Sequence, residues 1–304
     1  MKQIAILACV VALSAACSNK SHKDKLPFTS ETLKQDTVIS EGLRFCEGTV
    51  WSDGRLFISN FGTEVLDPLN IEGKGYIAEL TPTGIKTLIA PDGNLSAPKG
   101  MAEKDGYLFI ADVNRIMVYN LNKLSEKPQV IFFPAGELEV SDLAIDGEQL
   151  YASVTNTGSI YMLDVSDPSK VGNETLNLYL NLAGAKGLAI KDGELYVASY
   201  AQEGEISSFN SLFVVEDMQN PIPMKFVTDP GAYDGLTFND EGTLLFFTNW
   251  MEGQVGQFNL DSRETTNVYP LNEITGPSSV SFNDGILYVT DLPNSRLIVI
   301  PLNK

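Results

Sequence analysis

A short hairpin motif recurs six times along the chain, and this repetition constrains the fold more than any other feature. Each copy has an apolar strand, a turn rich in Asp and Gly, and a second strand that opens on Leu. The copies start at Glu47, Lys99, Ser141, Lys186, Asp234 and Ser278. They are therefore spaced 52, 42, 45, 48 and 44 residues apart. An Asp-Gly pair, present in most of the turns, suits the positive φ that a tight hairpin requires.

The spacing of the copies predicts an all-β fold. A third strand follows most hairpins, as in IMVYNL after Arg115 and RLIVIPL from Arg296. A period of 42 to 52 residues with three or four strands is typical of a propeller blade. Six copies predict one six-bladed β-propeller over residues 37–304. The last copy lacks a fourth strand, so we expect residues 36–40 to pair with it and close the ring.

The segment before the propeller predicts export. Lys2 precedes the apolar stretch 4–16, which is too short to span a bilayer. The stretch ends in LSAAC, which resembles a bacterial lipobox with Cys17 as the lipid-modified residue; an ordinary secretory signal is the alternative. We expect a signal peptide at 1–16, a flexible tether at 17–36, and membrane contact only through the lipid anchor. The basic sequence SNKSHKDK after Cys17 favours the periplasmic side of the bacterial cell envelope.

Composition excludes several classes of function. With 21 Lys and Arg against 39 Asp and Glu, the net charge is −18, so we expect no nucleic-acid partner. The one histidine, His22, lies in the predicted tether. Histidine-based nucleophilic catalysis and histidine-ligated metals are therefore not expected. Cys46 is the only cysteine of the predicted propeller, so no disulfide can form within it, and we expect it to be an unreactive core residue.

The residues that head the six hairpins are predicted to form a ring. The first strand of each propeller blade lines the central channel, so its leading residue should lie at one mouth. We call Glu47, Lys99, Ser141, Lys186, Asp234 and Ser278 the ring residues. The second strands end at the same face, which adds Asn60, Tyr200, Asn249 and Trp250 around them. Polar groups beside aromatic rings are typical of a small-molecule pocket, and all these residues are candidates for binding a ligand.

Several copies resemble the SMP-30/gluconolactonase-like and NHL-type six-bladed propellers. EGTVWSDGRLFIS is close to the E-G-P-V-W of that family, and DGLTFNDEGTLLFFTN to its D-G-L. KGLAIKDGELYVASY stands where the family has N-G-L, and DLPNSRLIVI is similar to the end of an NHL blade. The resemblance covers nearly all of residues 41–302 and implies a hydrolase of sugar lactones.

The resemblance also implies a metal site. In that family the Glu, Asn and Asp of these motifs bind a divalent cation, and hard oxygen ligands suit Ca²⁺ or Mg²⁺. Glu47 and Asp234 match two of these ligands, and the resemblance makes Asp234, with Glu47 as its partner, the candidate catalytic residue. Lys186 stands in place of the third ligand, and an ammonium has only donors and repels a cation.

Three interpretations of the ring stay open. It can hold a cation and act as a lactonase, or form a metal-free site that binds or hydrolyses a small, sugar-derived molecule. Its charges can also neutralise one another and plug the channel. Our hypothesis is that the Lys186 ammonium replaces the cation between Glu47 and Asp234, with little or no metal dependence. A non-catalytic envelope lipoprotein that binds a glycan, a small molecule or a protein is the alternative to a hydrolase.

Overall fold

The computed structural model describes residues 33, 35–200, 206–269 and 273–302. These residues form strands, turns and three short 3₁₀ helices: Pro168–Lys170, Asn173–Thr175 and Leu292–Asn294. Within the described ranges, no helix has the length and apolar character needed to cross a membrane. The predicted signal peptide, Cys17 and nearly all of the tether lie outside the described residues, so the predictions made for them stay predictions.

The described strands form six antiparallel sheets of four strands each, which confirms the all-β six-bladed β-propeller. After β1 (Thr37–Ile39), the strands of the first three blades follow in chain order. Blade 1 has β2 (Cys46–Ser52), β3 (Arg55–Asn60), β4 (Tyr76–Thr81) and β5 (Gly84–Ile89). Blade 2 has β6 (Pro98–Lys104), β7 (Tyr107–Asp112), β8 (Arg115–Asn120) and β9 (Gln129–Phe132). Blade 3 has β10 (Val140–Asp146), β11 (Gln149–Val154), β12 (Ser159–Asp164) and β13 (Asn177–Asn181).

The other three blades repeat this order. Blade 4 has β14 (Ala185–Lys191), β15 (Glu194–Ser199), β16 (Leu212–Val215) and β17 (Met224–Lys225). Blade 5 has β18 (Tyr233–Phe238), β19 (Leu244–Asn249), β20 (Gln254–Asn259) and β21 (Thr265–Tyr269). Blade 6 has β22 (Pro277–Asn283), β23 (Ile286–Asp291) and β24 (Arg296–Pro301), with β1 as its fourth strand.

The sixth blade is closed by the N-terminal strand, as the sequence predicts. β1 runs antiparallel to β24, with Val38 opposite Ile298. Leu33, which the sequence assigns to the tether, is buried in the same hydrophobic cluster as Leu43 and Tyr288. Leu33 therefore packs on the core of the propeller, ahead of its predicted start at residue 37.

A hydrophobic cluster fills each interface between neighbouring blades. Between blades 6 and 1, Trp51 stacks on Tyr288 with ring centroids 5.4 Å apart. Cys46 is fully buried in the same cluster. Burial raises the pKa of its thiol, which keeps it protonated and unreactive, as expected from its place in the sequence. Since every blade covers the face of the next, the core is continuous around the ring.

The same bulge in all six first strands directs the ring residues into the channel. In blade 1, Cys46 pairs with Asn60 but Thr49 pairs with Ile58, so three steps on one strand oppose two on the other. The other five blades show the same shift. The ring residue lies within the shift each time. A bulge changes the direction in which side chains point and bends the strand. This explains why the six ring residues all point into the channel.

Glycine follows the ring residue in four blades because the innermost strands nearly touch. A Cβ added at Gly48 would lie 2.2 Å from the carbonyl oxygen of Lys99. One added at Gly187 would lie 1.9 Å from the carbonyl oxygen of Asp234. No side chain fits at these distances, so the glycines permit each first strand to pack directly on the next.

Blades 3 and 6 have side chains at this position that bond to the next blade. Asp142 accepts a hydrogen bond from the Leu188 N–H at 2.8 Å, and Ser279 accepts one from the Thr49 N–H at 3.0 Å. The two bonds lie on opposite sides of the channel. Close packing and these cross-blade bonds together hold the ring residues in place.

Candidate functional site: a pocket at the channel mouth

A cavity of about 180 Å³ opens at the mouth of the channel. Five of the six ring residues line it: Glu47, Lys99, Lys186, Asp234 and Ser278. Ser141 instead lines a chamber of about 20 Å³, which shares Glu47, Lys186, Asp234 and Ser278 with the cavity above it. A polar chamber of this size suits a single water molecule. The cavity is smaller than the roughly 300–1,000 Å³ of pockets for drug-sized ligands, so it fits a small ligand.

Aromatic and aliphatic side chains form the wall of the pocket. Tyr200, predicted at the rim, lines it, as do Phe61 and Trp250. Phe61 and Trp250 also pack with Leu292 in a small hydrophobic cluster at the mouth. These rings therefore have two roles, since they stabilise the upper face and give the pocket an apolar wall.

The loop 61–75 between β3 and β4 closes one side of the mouth. Leu66 and Pro68 of this loop line the pocket. The Pro68 carbonyl accepts a hydrogen bond from Lys99 Nζ at 2.8 Å, and the Arg44 guanidinium donates to the Thr63 carbonyl at 2.8 Å. The repeat pattern does not include this loop. The long interval between the second and third strands of blade 1 was the only signal for it in the sequence.

Lys186 and Asp234 form a buried ion pair. Lys186 Nζ lies 3.2 Å from Asp234 Oδ2, and the ammonium lies 5.8 Å from the centre of the Tyr200 ring. Burial disfavours the charged form of Lys186, but Asp234, Glu139 and Glu47 more than offset this and raise its pKa. Lys186 is therefore a firmly protonated cation that neutralises Asp234.

Glu47 occupies the same pocket without a hydrogen-bond partner for its carboxyl group among the described residues. Its side chain is buried, with the residue 7% exposed. Burial, and secondarily the charge of Asp234, raise the pKa of Glu47 to about 8. No ion pair joins it to Lys186 within 4.0 Å. Among the described residues Lys186 therefore contacts Asp234 and not Glu47, and the hypothesis that its ammonium replaces a cation stays a prediction.

Lys99 lies on the other side of the pocket without a carboxylate partner. The residue is 2% exposed, and no carboxylate oxygen of the described residues lies within 4.0 Å of its Nζ. Its hydrogen bond to Pro68 leaves two N–H donors with no partner within the described ranges. Burial lowers the pKa of Lys99, although Glu139 and Glu47 partly offset this. The two lysines of the ring therefore have opposite electrostatic environments.

Glu139 lines the pocket and was missed by the sequence analysis. It precedes the third hairpin by two residues, outside the repeated pattern. The residue is 4% exposed, and its Oε2 atom is buried with no hydrogen-bond partner within the described part of the chain. A buried carboxylate oxygen without a partner is costly, so it is an open acceptor for a ligand.

Asn60 and Asn249, two predicted ligand-binding residues, do not line the pocket. Both are buried, and their side chains turn back towards the segment that enters the first strand. Asn60 Oδ1 accepts from the Arg44 N–H at 3.0 Å, and Asn249 Oδ1 accepts from the Ala232 N–H at 3.2 Å. These contacts stabilise the entry to blades 1 and 5, and ligand binding by these two residues stays a prediction.

The two ring serines have their hydroxyls engaged in the fold. Ser278 Oγ donates to the Glu47 carbonyl at 2.9 Å and contacts the hydroxyl of Thr290. Ser141 Oγ contacts the Thr155 hydroxyl at 2.7 Å, deep in the channel. Both line the channel as predicted, but their hydroxyls already have protein partners.

The donor set does not fit the predicted divalent cation. Nowhere in the described ranges do three or more His, Cys, Asp or Glu side chains converge as a metal site. Of the two predicted metal ligands, Asp234 is in contact with the Lys186 ammonium, and Glu47 favours its protonated form. A cation at this position would be repelled by Lys186, and we derive no chemistry through a metal ion.

Comparison with known proteins supports the fold alone. No family profile matches the chain, and no curated protein matches it significantly. Virginiamycin B lyase from Staphylococcus aureus, solved as a catalytically inactive histidine-to-alanine variant with quinupristin, is 15% identical with a TM-score of 0.60, covering 88% of this chain and 98% of that one. A protein of unknown function from Bacteroides thetaiotaomicron is 10% identical with a TM-score of 0.62, covering 90% and 74%. A chain of the nidogen/laminin complex is 14% identical with a TM-score of 0.60, covering 88% and 89%.

Proposed function

We propose that the pocket binds a small, hydroxyl-rich molecule of the sugar-lactone class and that Glu47 acts as the acid–base group of a metal-independent hydrolysis. One observation carries this proposal. Lys186 neutralises Asp234, whereas the Glu47 carboxyl group is buried in the same cavity with no partner among the described residues. Its pKa of about 8 lies near neutral pH, which suits a group that both takes up and returns a proton. The role first assigned to Asp234 therefore passes to Glu47.

The ligand class follows from the unused hydrogen-bonding groups. Lys99 has spare donors and Glu139 has a spare acceptor, and both line the cavity. A ligand hydroxyl can accept a hydrogen bond from Lys99 and donate one to Glu139. A neutral molecule with several hydroxyls is thus a better match than a strongly charged one.

The hydrolysis needs only groups of the pocket and water. Ionised Glu47 takes a proton from a water molecule, whose oxygen attacks the lactone carbonyl. The carbonyl oxygen gains negative charge, which a lysine ammonium in the pocket stabilises. The ring C–O bond then breaks, and Glu47 returns its proton to the leaving oxygen to give a hydroxy acid. Because the base form is required, the rate should rise with pH through about pH 8.

The test is hydrolysis of a panel of five- and six-membered sugar lactones, followed by pH-stat with and without a chelator. Activity should survive the chelator, and Glu47→Gln should lower kcat by about 10²–10⁴-fold. Glu139→Gln is the matched control: it changes another pocket carboxylate and should mainly raise KM. Activity that disappears in chelator, or that Glu47→Gln leaves intact, would refute the proposal.

Non-catalytic binding of the same ligand class is the second candidate. It is favoured by the apolar wall and by the open acceptor of Glu139, which serve binding whether or not a reaction follows. The lyase neighbour offers no third candidate, because the described residues contain no histidine to match the one whose loss inactivates that enzyme. Calorimetry that detects lactone binding with no hydrolysis would favour this reading.

Export and lipid anchoring through Cys17 form a separate proposal, supported by the LSAAC sequence alone. The wild-type protein should fractionate with membranes and carry lipid at Cys17. Cys17→Ser should be uncleaved or soluble. Recovery of the wild type as a soluble protein without modification at Cys17 would contradict the lipobox.

A further inference from the structure

Lys99 combines three features that are rarely found together in a lysine. Its side chain is almost wholly buried, it lines an open cavity, and no carboxylate of the part of the chain that the structure describes lies within 4.0 Å of it. The apolar side chains of Leu66, Leu292 and Phe61 line the same cavity, and Lys99 Nζ lies 5.8 Å from the centre of the Phe61 ring. Such an environment favours the neutral amine, which is the nucleophilic form of lysine.

The charged groups around Lys99 do not remove this preference. The nearby titratable groups are Glu139, Glu47, Asp112 and Lys186. Asp112 is already paired with Arg115 at 2.8 Å, and Lys186 is positive and opposes a second charge. Burial outweighs the pull of Glu139 and Glu47, so the net effect is a lowered pKa for Lys99.

We propose that Lys99 is a reactive amine that forms an imine with small aldehydes or ketones entering the pocket. The nitrogen lone pair attacks the carbonyl carbon, and the carbonyl electron pair moves to oxygen. After proton transfer the adduct is a carbinolamine, which loses its hydroxyl as water when the C=N bond forms. Glu47 holds its proton at neutral pH in the same cavity and can supply the proton for that water. This activity goes beyond the proposed hydrolysis and does not depend on it.

Lys186 is a built-in control for this proposal. It lines the same cavity, is largely buried and belongs to the same ring. Its ammonium is held by Asp234 at 3.2 Å, and its pKa is raised, so the neutral amine is scarce. Each unit of pKa difference changes the fraction of neutral amine about tenfold at a given pH. The Lys186 side chain is 14% exposed and Lys99 is 2% exposed, so accessibility alone favours labelling of Lys186, and protonation favours labelling of Lys99.

The experiment is reductive trapping on the full-length protein. Glycolaldehyde, a small neutral hydroxyaldehyde, is added at pH 7 with sodium cyanoborohydride, which reduces an imine to a stable secondary amine. Peptide mass spectrometry then gives the labelled fraction at Lys99, at Lys186 and at the exposed Lys123 in one sample. We expect Lys99 to be labelled at least about tenfold faster than either of the other two.

Two further samples make the result decisive. In denatured protein the three lysines should label at similar rates, which shows that the fold creates the difference. Asp234→Asn removes the partner of Lys186 and should raise its labelling, while that of Lys99 stays high. The proposal is overturned if Lys99 in the native wild type labels no faster than Lys186 or Lys123, or is not labelled at all. The wild-type result stands whether or not the variant folds.

Discussion

The two sides of the pocket contain the same kinds of side chain but pair them differently. On the side of blades 4 and 5, Lys186 and Asp234 are in contact at 3.2 Å. On the side of blades 1 to 3, Glu47, Lys99 and Glu139 share the cavity without any ion pair between them. A buried charge is stable only when it is paired or neutralised by a proton shift. The ion pair on one side therefore stabilises the fold, and the unpaired groups on the other side can interact with a ligand.

The largest loss of stability should come from breaking the ion pair between Lys186 and Asp234. Asp234→Asn leaves the Lys186 ammonium buried with no counter-charge and should lower the free energy of unfolding by about 3–5 kcal/mol. Glu47→Gln on the unpaired side should cost far less at pH 7, because it replaces a carboxyl that already holds its proton. Denaturant unfolding of both variants measures the difference. Equal losses would show that the two sides are not distinct.

Replacing the lysine of the paired side should also destabilise the protein more than replacing the lysine of the unpaired side, but by a smaller amount. Lys186→Met leaves the Asp234 carboxylate without a counter-charge. Asp234 can reduce this cost by taking up a proton, so we expect the free energy of unfolding to fall by about 2–3 kcal/mol. Lys99→Met removes an amine that has no carboxylate partner among the described residues, so it should change stability by less than about 1 kcal/mol. Thermal unfolding at matched pH is the measurement. A larger loss for Lys99→Met than for Lys186→Met would reverse the comparison.

The smallest effect is a change in the slope of stability with pH. The pKa of Glu47 rises from an ordinary value of 4.5 to about 8 on folding. Between these values the folded state holds one more proton than the unfolded state, so stability should fall as pH rises. The pKa of Asp142, raised to about 7 mainly by burial, acts in the same direction below pH 7.

Glu47→Gln should remove its share of this slope, roughly 1 kcal/mol per pH unit between pH 5 and 8. Melting curves of wild type and variant at several pH values in that window provide the test. Asp142→Asn is the companion variant, which should flatten the lower part of the window only. If the wild-type profile is flat, or rises with pH, Glu47 is not a buried, protonated carboxyl.

The sequence predicts the fold well because the same local pattern recurs six times and each copy supports the others. The ring residues were found for the same reason, since they hold one position in every copy. Glu139 and the loop 61–75 fall outside the repeat, so no periodic signal marks them. Asn60 and Asn249 do hold a repeated position, but periodicity gives only the location of a residue. It does not reveal that these side chains fold back on their own blade.

The direction of β1 decides which way the pocket faces relative to the chain before it. β24 starts at the mouth side of blade 6, where Arg296 pairs with Asp291, and runs away from it. β1 is antiparallel to β24, so it enters the propeller at the opposite face. The entry of the chain into blade 6 and the mouth of the pocket therefore lie on opposite faces of the disc.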